Sequence, residues 1–185
     1  MDRLQAYADL LRRWTAAINL VSAHDAQHIW TRHIQDSLRL LPLMPAGPGR
    51  AIDLGSGGGL PGIPLAIASG IQFDLIESDG RKATFLREAA RATAAPVTVH
   101  CQRIEQADVP PAALVTARAL APLPKLLAYA APFLQPGGTC LFPKGANAAS
   151  ELAAAAQDWS FRLDQYADPS TPGSVILALR DVRHG

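Results

Sequence analysis

The strongest constraint on the fold is a glycine-rich run that directly follows a short apolar segment. Residues 51–54 are apolar except for Asp53, and the chain then continues as Gly55-Ser56-Gly57-Gly58-Gly59-Leu60-Pro61-Gly62. A short apolar run that stops at glycines predicts a buried parallel strand. Glycines at that place allow a tight turn into a helix and a close approach of a ligand to the backbone. We therefore expect a ligand site at the carboxyl end of this strand.

The rest of the chain alternates between strand-like and helix-like segments. We predict strands over 51–54, 73–76, 97–100, 113–117, 139–142, 161–166 and 175–179, and helices over 61–69, 81–94, 122–134 and 148–157. This alternation predicts an α/β fold, with a mostly parallel seven-stranded sheet and helices on both faces. The connection between the last two strands is too short for a parallel crossover, so we expect an antiparallel hairpin.

Two amphipathic helices are predicted before the first strand. Apolar side chains recur at helical spacing over 3–18 and again over 25–41, with Asp25 as the expected N-cap of the second helix. Prolines and glycines over 42–49 then interrupt the pattern. We expect an N-terminal helical lobe over 1–45 and a core over 50–185, within one structural domain.

Composition limits the partners and the compartment. The formal net charge of the 185 residues is only +1, so a general electrostatic affinity for nucleic acid is not expected. Cys101 and Cys140 are the only cysteines, which suits a reducing cytosol and predicts neither a disulfide framework nor a metal site. Because no apolar run reaches the roughly 18–20 residues of a membrane span, we expect a cytoplasmic protein. We also expect a monomer.

Two carboxylates accompany the glycine run. Glu77 ends the second predicted strand, 24 residues after Asp53. A carboxylate at that place can accept hydrogen bonds from both hydroxyls of a ribose. Asp53 precedes the first glycine and can accept hydrogen bonds from loop amides or, through water, from a ligand ammonium group. These residues indicate a nucleoside-containing ligand.

Two classes of nucleoside-binding protein fit this arrangement. The spacing Gly57-x-Gly59-x-x-Gly62 matches a nicotinamide-binding Rossmann domain, so a nicotinamide enzyme is one alternative. The run from Asp53 through alternating glycines resembles the first motif of class I S-adenosylmethionine-dependent methyltransferases. The predicted terminal hairpin is also similar to the methyltransferase sheet, and the chain leaves no room for a separate dehydrogenase substrate domain. These features favour the methyltransferase class.

Further segments occur in one order along nearly the whole chain and carry a more specific resemblance. They are Asn19-Leu20-Val21-Ser22, Arg32-His33-Ile34-Gln35-Asp36-Ser37-Leu38, Gly55–Pro64, Glu77-Ser78, Lys82 to Arg87, Arg103-Ile104-Glu105, Ala117-Arg118-Ala119, Pro136-Gly137-Gly138 and Lys144-Gly145. The chain resembles the bacterial small-subunit ribosomal RNA guanine-N(7) methyltransferase family, also called the glucose-inhibited division protein B family.

The resemblance implies a cofactor, a substrate and a set of cofactor contacts. It implies that S-adenosyl-L-methionine donates a methyl group to a guanine N(7) of 16S ribosomal RNA, in an assembled or partly assembled small subunit. The cofactor contacts that it implies are Gly55, Leu60, Ile104, Glu105 and Arg118. With Asp53, Gly57, Gly59, Glu77 and Ser78 they make up the predicted cofactor site.

Basic and polar residues outside the loop are the candidates for catalysis and RNA contact. Arg118 and Lys144 follow the fourth and fifth predicted strands, at the rim where cofactor and target would meet, and are predicted to act in catalysis. The predicted RNA contacts are Asn19, Arg32, His33, Arg81, Lys82 and Lys144. His33 and Asp36 can share a helix face at i and i+3, either as a dyad or, as we favour, as a histidine that a carboxylate fixes in place.

Two other functions remain open from the residues alone. One is a class I methyltransferase that acts on another RNA, a protein or a small molecule. The other is a non-catalytic, ribosome-associated module that binds the cofactor without turnover.

Overall fold

The centre of the protein, in a computed structural model that describes residues 2–22, 25–47, 49–168 and 173–185, is a seven-stranded sheet. Its strands are β1 (Arg50–Leu54), β2 (Gln72–Glu77), β3 (Val97–Cys101), β4 (Ala112–Ala117), β5 (Leu134–Lys144), β6 (Trp159–Ala167) and β7 (Val175–His184). Their spatial order is β3-β2-β1-β4-β5-β7-β6. The first five strands pair in parallel, and β7 runs antiparallel to β5 and β6. The predicted α/β fold and the terminal antiparallel hairpin are therefore confirmed.

Helices cover both faces of the sheet because alternate residues of each buried strand point to opposite sides. In β1, Ala51 belongs to one hydrophobic cluster and Ile52 to the other. The helices are α1 (Arg3–Ile18), α2 (Asp36–Leu38), α3 (Gly62–Ser69), α4 (Gly80–Thr93), α5 (Leu123–Ala130) and α6 (Ala148–Ala155). Helices α1, α3 and α4 pack with the first cluster, and α5 and α6 pack with the second.

The predicted single helix over 25–41 is wrong. The segment forms a 3-10 turn (Asp25–His28), a π-helix (Trp30–Gln35), the short α2 and a second 3-10 turn (Leu41–Leu43). The π-helix is accompanied by side-chain bonds to its carbonyls: Arg118 donates to the Arg32 carbonyl and Ser37 to that of His33. The predicted N-cap is also wrong, because the Ser22 hydroxyl accepts the Asp25 amide at 3.1 Å.

Some sequence expectations fall on residues that the structure does not describe. His24, Pro48 and residues 169–172 lie outside the described ranges. The linker over 42–49 and the turn of the terminal hairpin are therefore described only in part. Among the described residues, no helix combines the length and apolar character that crossing a bilayer requires.

The N-terminal helix packs directly onto the core and onto the glycine run. Tyr7 and Leu11 of α1 are fully buried, in the same cluster as Phe85 of α4. The ring centroids of Trp14 and Phe85 lie 5.7 Å apart. The Tyr7 hydroxyl donates a hydrogen bond to the Gly58 carbonyl. Helix α1 therefore supports the predicted ligand loop from behind.

We expect Tyr7→Phe to destabilise the protein by about 1–3 kcal/mol, because a buried Gly58 carbonyl would lose its donor. The free energy of unfolding from urea titration measures the effect. Tyr166→Phe is the matched control, since Tyr166 is 38% exposed and its change should stay within about 0.5 kcal/mol. Equal effects of the two substitutions would contradict a stabilising role for the Tyr7 hydrogen bond.

Candidate functional site

The glycine run and the end of β2 are joined through one carboxylate. Leu54 of β1 lies beside Ile76 of β2, so the two parallel strands end at the same edge of the sheet. Glu77 is 7% exposed. Its Oε2 accepts a hydrogen bond from the Gly57 amide and its Oε1 accepts one from the Asp79 amide, both at 2.8 Å. The carboxylate therefore holds the loop in place at the predicted ligand site.

A cavity of about 290 Å³ opens beside this carboxylate. Of the predicted cofactor residues, it brings together Gly55, Gly57, Glu77, Ser78, Ile104 and Glu105. It also includes Lys82, which we predicted as an RNA contact, and Gln102 and Tyr129, which the sequence analysis missed. We call this space the glycine cavity.

Three other predicted cofactor residues do not line the glycine cavity. Asp53 is fully buried and accepts the Thr116 hydroxyl at 2.7 Å, and burial raises the pKa of its carboxyl to about 6. A Cβ at Gly59 would meet Ile63 Cδ1 at 2.6 Å, and Leu60 packs in the hydrophobic core. These residues support the loop, and their contact with a cofactor stays a prediction.

A second and larger hollow of about 490 Å³ lies next to the glycine cavity. It is bounded by the segment before the first strand, by the loop after β4 and by the ends of β5 and β7. Its lining includes Arg32, Asp36, Arg39, Arg118, Lys144, Glu151 and Asp168. Ala119 and Leu120 line both spaces. We call this space the basic-acidic hollow, and residues 119–120 form its partition from the glycine cavity.

Arg118 lines the basic-acidic hollow and not the glycine cavity. Its Nη2 donates to His33 Nδ1 at 2.8 Å and to the Arg32 carbonyl at 3.2 Å. Its Nη1 is buried and has no hydrogen-bond partner among the described residues. Burial lowers the pKa of Arg118, while the nearby Asp36 carboxylate opposes that shift. Arg118 therefore lies at the lining of the hollow, with its position fixed by the π-helix (Trp30–Gln35).

Lys144 is bonded to the residue that follows the partition, Ala121. Its Nζ donates to the Ala121 carbonyl at 2.9 Å and to Glu151 Oε2 at 2.7 Å, and only 10% of the side chain is exposed. The same Glu151 oxygen accepts the Leu123 amide at 2.7 Å. In this arrangement Lys144 positions the loop after β4. Its predicted direct roles in catalysis and RNA contact stay predictions.

The predicted pairing of His33 with Asp36 is wrong. His33 bonds to Arg118, and Asp36 Oδ1 instead accepts Arg39 Nη1 at 3.2 Å. The π-helical turn alters which side chains lie above one another, so the i, i+3 rule of an α-helix does not apply. His33 is also 4% exposed, so its ring lies under the surface, and its contact with RNA stays a prediction.

The other predicted RNA contacts lie apart on the surface. Asn19 has a φ of 50° and ends α1, with its amide bonded to the Thr15 carbonyl. Arg32 and Arg81 have half or more of their side chains exposed, and each lies 3.8 Å from an aspartate. Contact of these residues with RNA stays a prediction.

The residues that sequence reasoning missed come from distant parts of the chain. Tyr129 of α5 reaches the glycine cavity. The Glu105 backbone amide and, secondarily, the Tyr129 hydroxyl hold the pKa of Glu105 below its usual value. At the basic-acidic hollow, Arg39 is bonded to Asp168, which lies 129 residues away. Spacing along the sequence gives no signal for either contact. The described residues contain no group of three or more His, Cys, Asp or Glu side chains that could hold a metal ion.

Two solved structures with a fold similar to that of this protein are methyltransferases. The ribosomal protein L11 methylase of Lactobacillus delbrueckii subsp. bulgaricus has a TM-score of 0.65 at 14% identity, over 80% of this chain and 77% of that one. An O-methyltransferase of Bacillus cereus in complex with SAH has a TM-score of 0.63 at 16% identity, over 95% and 90% of the two chains. These likenesses show the class I methyltransferase fold.

Comparison of the sequence with known proteins identifies the family, which the similar folds alone do not. The chain is 52% identical to the ribosomal RNA small subunit methyltransferase G of Rhodospirillum centenum, over 98% of this chain and 84% of that protein. It is 55% identical to the protein of the same name from Acidiphilium cryptum, over 97% and 84% of the two chains. The GidB family model, described as rRNA small subunit methyltransferase G, matches residues 1–172. The chain therefore belongs to the GidB family, the rRNA small subunit methyltransferase G proteins.

Proposed function

We propose that this protein transfers the methyl group of S-adenosyl-L-methionine to N(7) of a guanine in 16S ribosomal RNA. The observation that carries the proposal is the pair of adjacent spaces at the carboxyl edge of the sheet. The glycine cavity has a ribose-type carboxylate, and the basic-acidic hollow beside it has an arginine with an unused donor. The partition at residues 119–120 lines both spaces.

The residues of the glycine cavity fit an adenosyl ligand. A Cβ at Gly57 would meet nothing nearer than the Gly55 carbonyl at 3.8 Å, so the space in front of that glycine is open. Each oxygen of the Glu77 carboxylate accepts one amide, and a carboxylate offers about four acceptor positions. The remaining positions can accept ribose hydroxyls, while Ile104 offers an apolar surface to a base.

In the proposed reaction the chain aligns the reactants instead of moving protons. Bound S-adenosyl-L-methionine supplies a methyl group on a positively charged sulfur. Guanine N(7) carries an in-plane lone pair and no proton, so no residue needs to act as a base. Alignment can contribute on the order of 7–11 kcal/mol to the lowering of a barrier. Lys144 and Glu151 hold the loop after β4, and so the partition, in place for that alignment.

The basic-acidic hollow is the proposed place of the target nucleotide. Arg118, which lines this hollow, binds an anionic oxygen of the RNA, as a guanidinium does with phosphate. The purine gains positive charge as the methyl group arrives, and the Asp36 carboxylate on the same lining stabilises that charge. The positive charge of Arg118 opposes this stabilisation near the ring, which favours a phosphate over the base as its partner.

Recognition of the RNA rests on shape more than on charge. With a net charge of only +1, the protein binds a folded target with an exposed or flipped base. Arg32, Arg81 and Asn19 are the proposed surface contacts. We further propose that the protein acts as a monomer in the cytoplasm on an assembled or partly assembled small subunit.

The test is methylation of small ribosomal subunits and of naked 16S RNA with labelled cofactor. We expect label at one guanine, and strand cleavage there after borohydride and aniline treatment, which detects N(7)-methylguanine. Label on protein or on small molecules alone would contradict the RNA substrate. Cofactor binding without turnover on either RNA would support the non-catalytic alternative.

A further inference from the structure

His33 is held against Arg118 by contacts that leave its ring little freedom. Its Nδ1 lies 2.8 Å from Arg118 Nη2, and the neighbouring Arg32 carbonyl accepts the same Nη2 at 3.2 Å. Both acceptors come from the π-helix (Trp30–Gln35), a type of turn that is frequent at functional sites. The π-helix therefore offers two acceptors to one amino group of the guanidinium, Nη2.

The contact defines the proton position on the imidazole. A guanidinium can only donate, so His33 Nδ1 must be an acceptor and the ring must be neutral with its proton on Nε2. Burial, and secondarily the charge of Arg118, lower the pKa of His33 to about 4, which keeps the ring neutral at neutral pH. Nε2 is buried and has no hydrogen-bond partner among the described residues.

Packing alone does not explain a histidine at this position. A buried N–H group without a partner is unfavourable, and an aliphatic side chain would fill similar volume without that group. The side chain that the ring bonds among the described residues is that of Arg118. We therefore attribute the presence of an imidazole at this position to its hydrogen bond with Arg118.

We propose that His33 is a positioning residue, which holds the Arg118 guanidinium in place at the lining of the basic-acidic hollow. This inference rests on the proposed function, because it assigns Arg118 to an anionic oxygen of the RNA substrate. His33 itself touches neither the substrate nor the cofactor. It acts on the reaction only through Arg118.

Two substitutions at His33 separate positioning from packing. His33→Asn keeps an acceptor near the place of Nδ1 but leaves volume unfilled, whereas His33→Leu fills the volume and removes the acceptor. We expect His33→Leu to lower kcat/KM for small subunits on the order of 10-fold and His33→Asn to stay within about threefold of wild type. The melting temperatures should run in the opposite order. If activity follows the melting temperature instead, the role of His33 is structural and the proposal fails.

A double-mutant cycle with Arg118→Ala tests whether His33 acts through Arg118. We expect kcat/KM of the double variant His33→Leu/Arg118→Ala to match that of Arg118→Ala within about twofold. Once Arg118 is gone, the loss of His33 has no further contact to remove. Additive losses would overturn the proposal. The affinity for S-adenosylhomocysteine should stay at the wild-type level in both His33 variants, and a parallel fall would also contradict a role confined to Arg118.

A spectroscopic measurement is independent of activity. Nitrogen-15 spectra of histidine-labelled protein at neutral pH should show His33 with its proton on Nε2, and a proton on Nδ1 would exclude the hydrogen bond from Arg118. These experiments distinguish failure of the proposed function from failure of the positioning role. If wild type does not methylate small subunits, the proposed function fails, and if wild type methylates them but His33→Leu is as active, only the positioning role fails.

Discussion

Gly55→Val is expected to weaken S-adenosylhomocysteine binding by at least about 100-fold, or roughly 2.7 kcal/mol. Gly55 lines the glycine cavity at a φ of +62°, and a Cβ there would meet Leu120 Cδ1 at 2.6 Å. The valine side chain and the displaced Leu120 would therefore occupy space that the ligand needs. Isothermal titration of wild type and variant measures the change.

Backbone strain has to be separated from this blocking effect. A branched residue at a positive φ costs about 1–2 kcal/mol wherever it occurs. Gly70→Val is the matched control, because Gly70 has a φ of +73° and nothing within 4 Å of its Cβ position. We expect Gly70→Val to lose about as much stability as Gly55→Val. We expect it to bind S-adenosylhomocysteine with the affinity of wild type. Equal ligand affinity in the two folded variants would contradict the assignment of the cofactor to the glycine cavity.

Arg118→Ala is expected to lower kcat/KM for small subunits on the order of 100-fold, as the loss of one partner of a buried charged contact does. The affinity for S-adenosylhomocysteine should change less than about threefold. The reason is the location of the side chain, which lines the basic-acidic hollow and not the glycine cavity. Initial rates with labelled cofactor and a binding titration give the two values.

Arg162→Ala is the matched control for loss of a positive charge. The Arg162 side chain is 78% exposed on β6, 3.8 Å from Asp181, and its removal should leave both values near wild type. If Arg118→Ala instead lowers cofactor affinity and turnover together, Arg118 binds the cofactor, as the family resemblance implied. The experiment therefore decides between its two predicted roles.

The segments with strong periodicity were predictable. Helix α1 was predicted over the same residues that it occupies, because its apolar side chains recur at helical spacing over four turns' worth of chain. The glycine run was placed correctly after β1, since an apolar strand that stops at glycines has few other interpretations. Glu77 followed from the same pattern, because parallel neighbours end at one edge of the sheet.

The segment before β1 was not predictable in the same way. Its apolar spacing indicates an α-helix, but bonds from Arg118 and Ser37 accompany the π-helix there. The role of Lys144 was hidden for a similar reason. A lysine after a strand suggests an exposed charge, and only the position of Glu151 on α6 shows that the amine is bonded and mostly buried.

The sequence by itself determined the order of the elements, the place of the glycine loop and the family. These depend on local periodicity and on motifs whose residues are near one another in the chain. Only the tertiary structure decided which side chains share a space, such as His33 with Arg118, 85 residues apart. The physical reason is that side chains meet through the packing of distant elements on the sheet, and local spacing carries no record of those contacts.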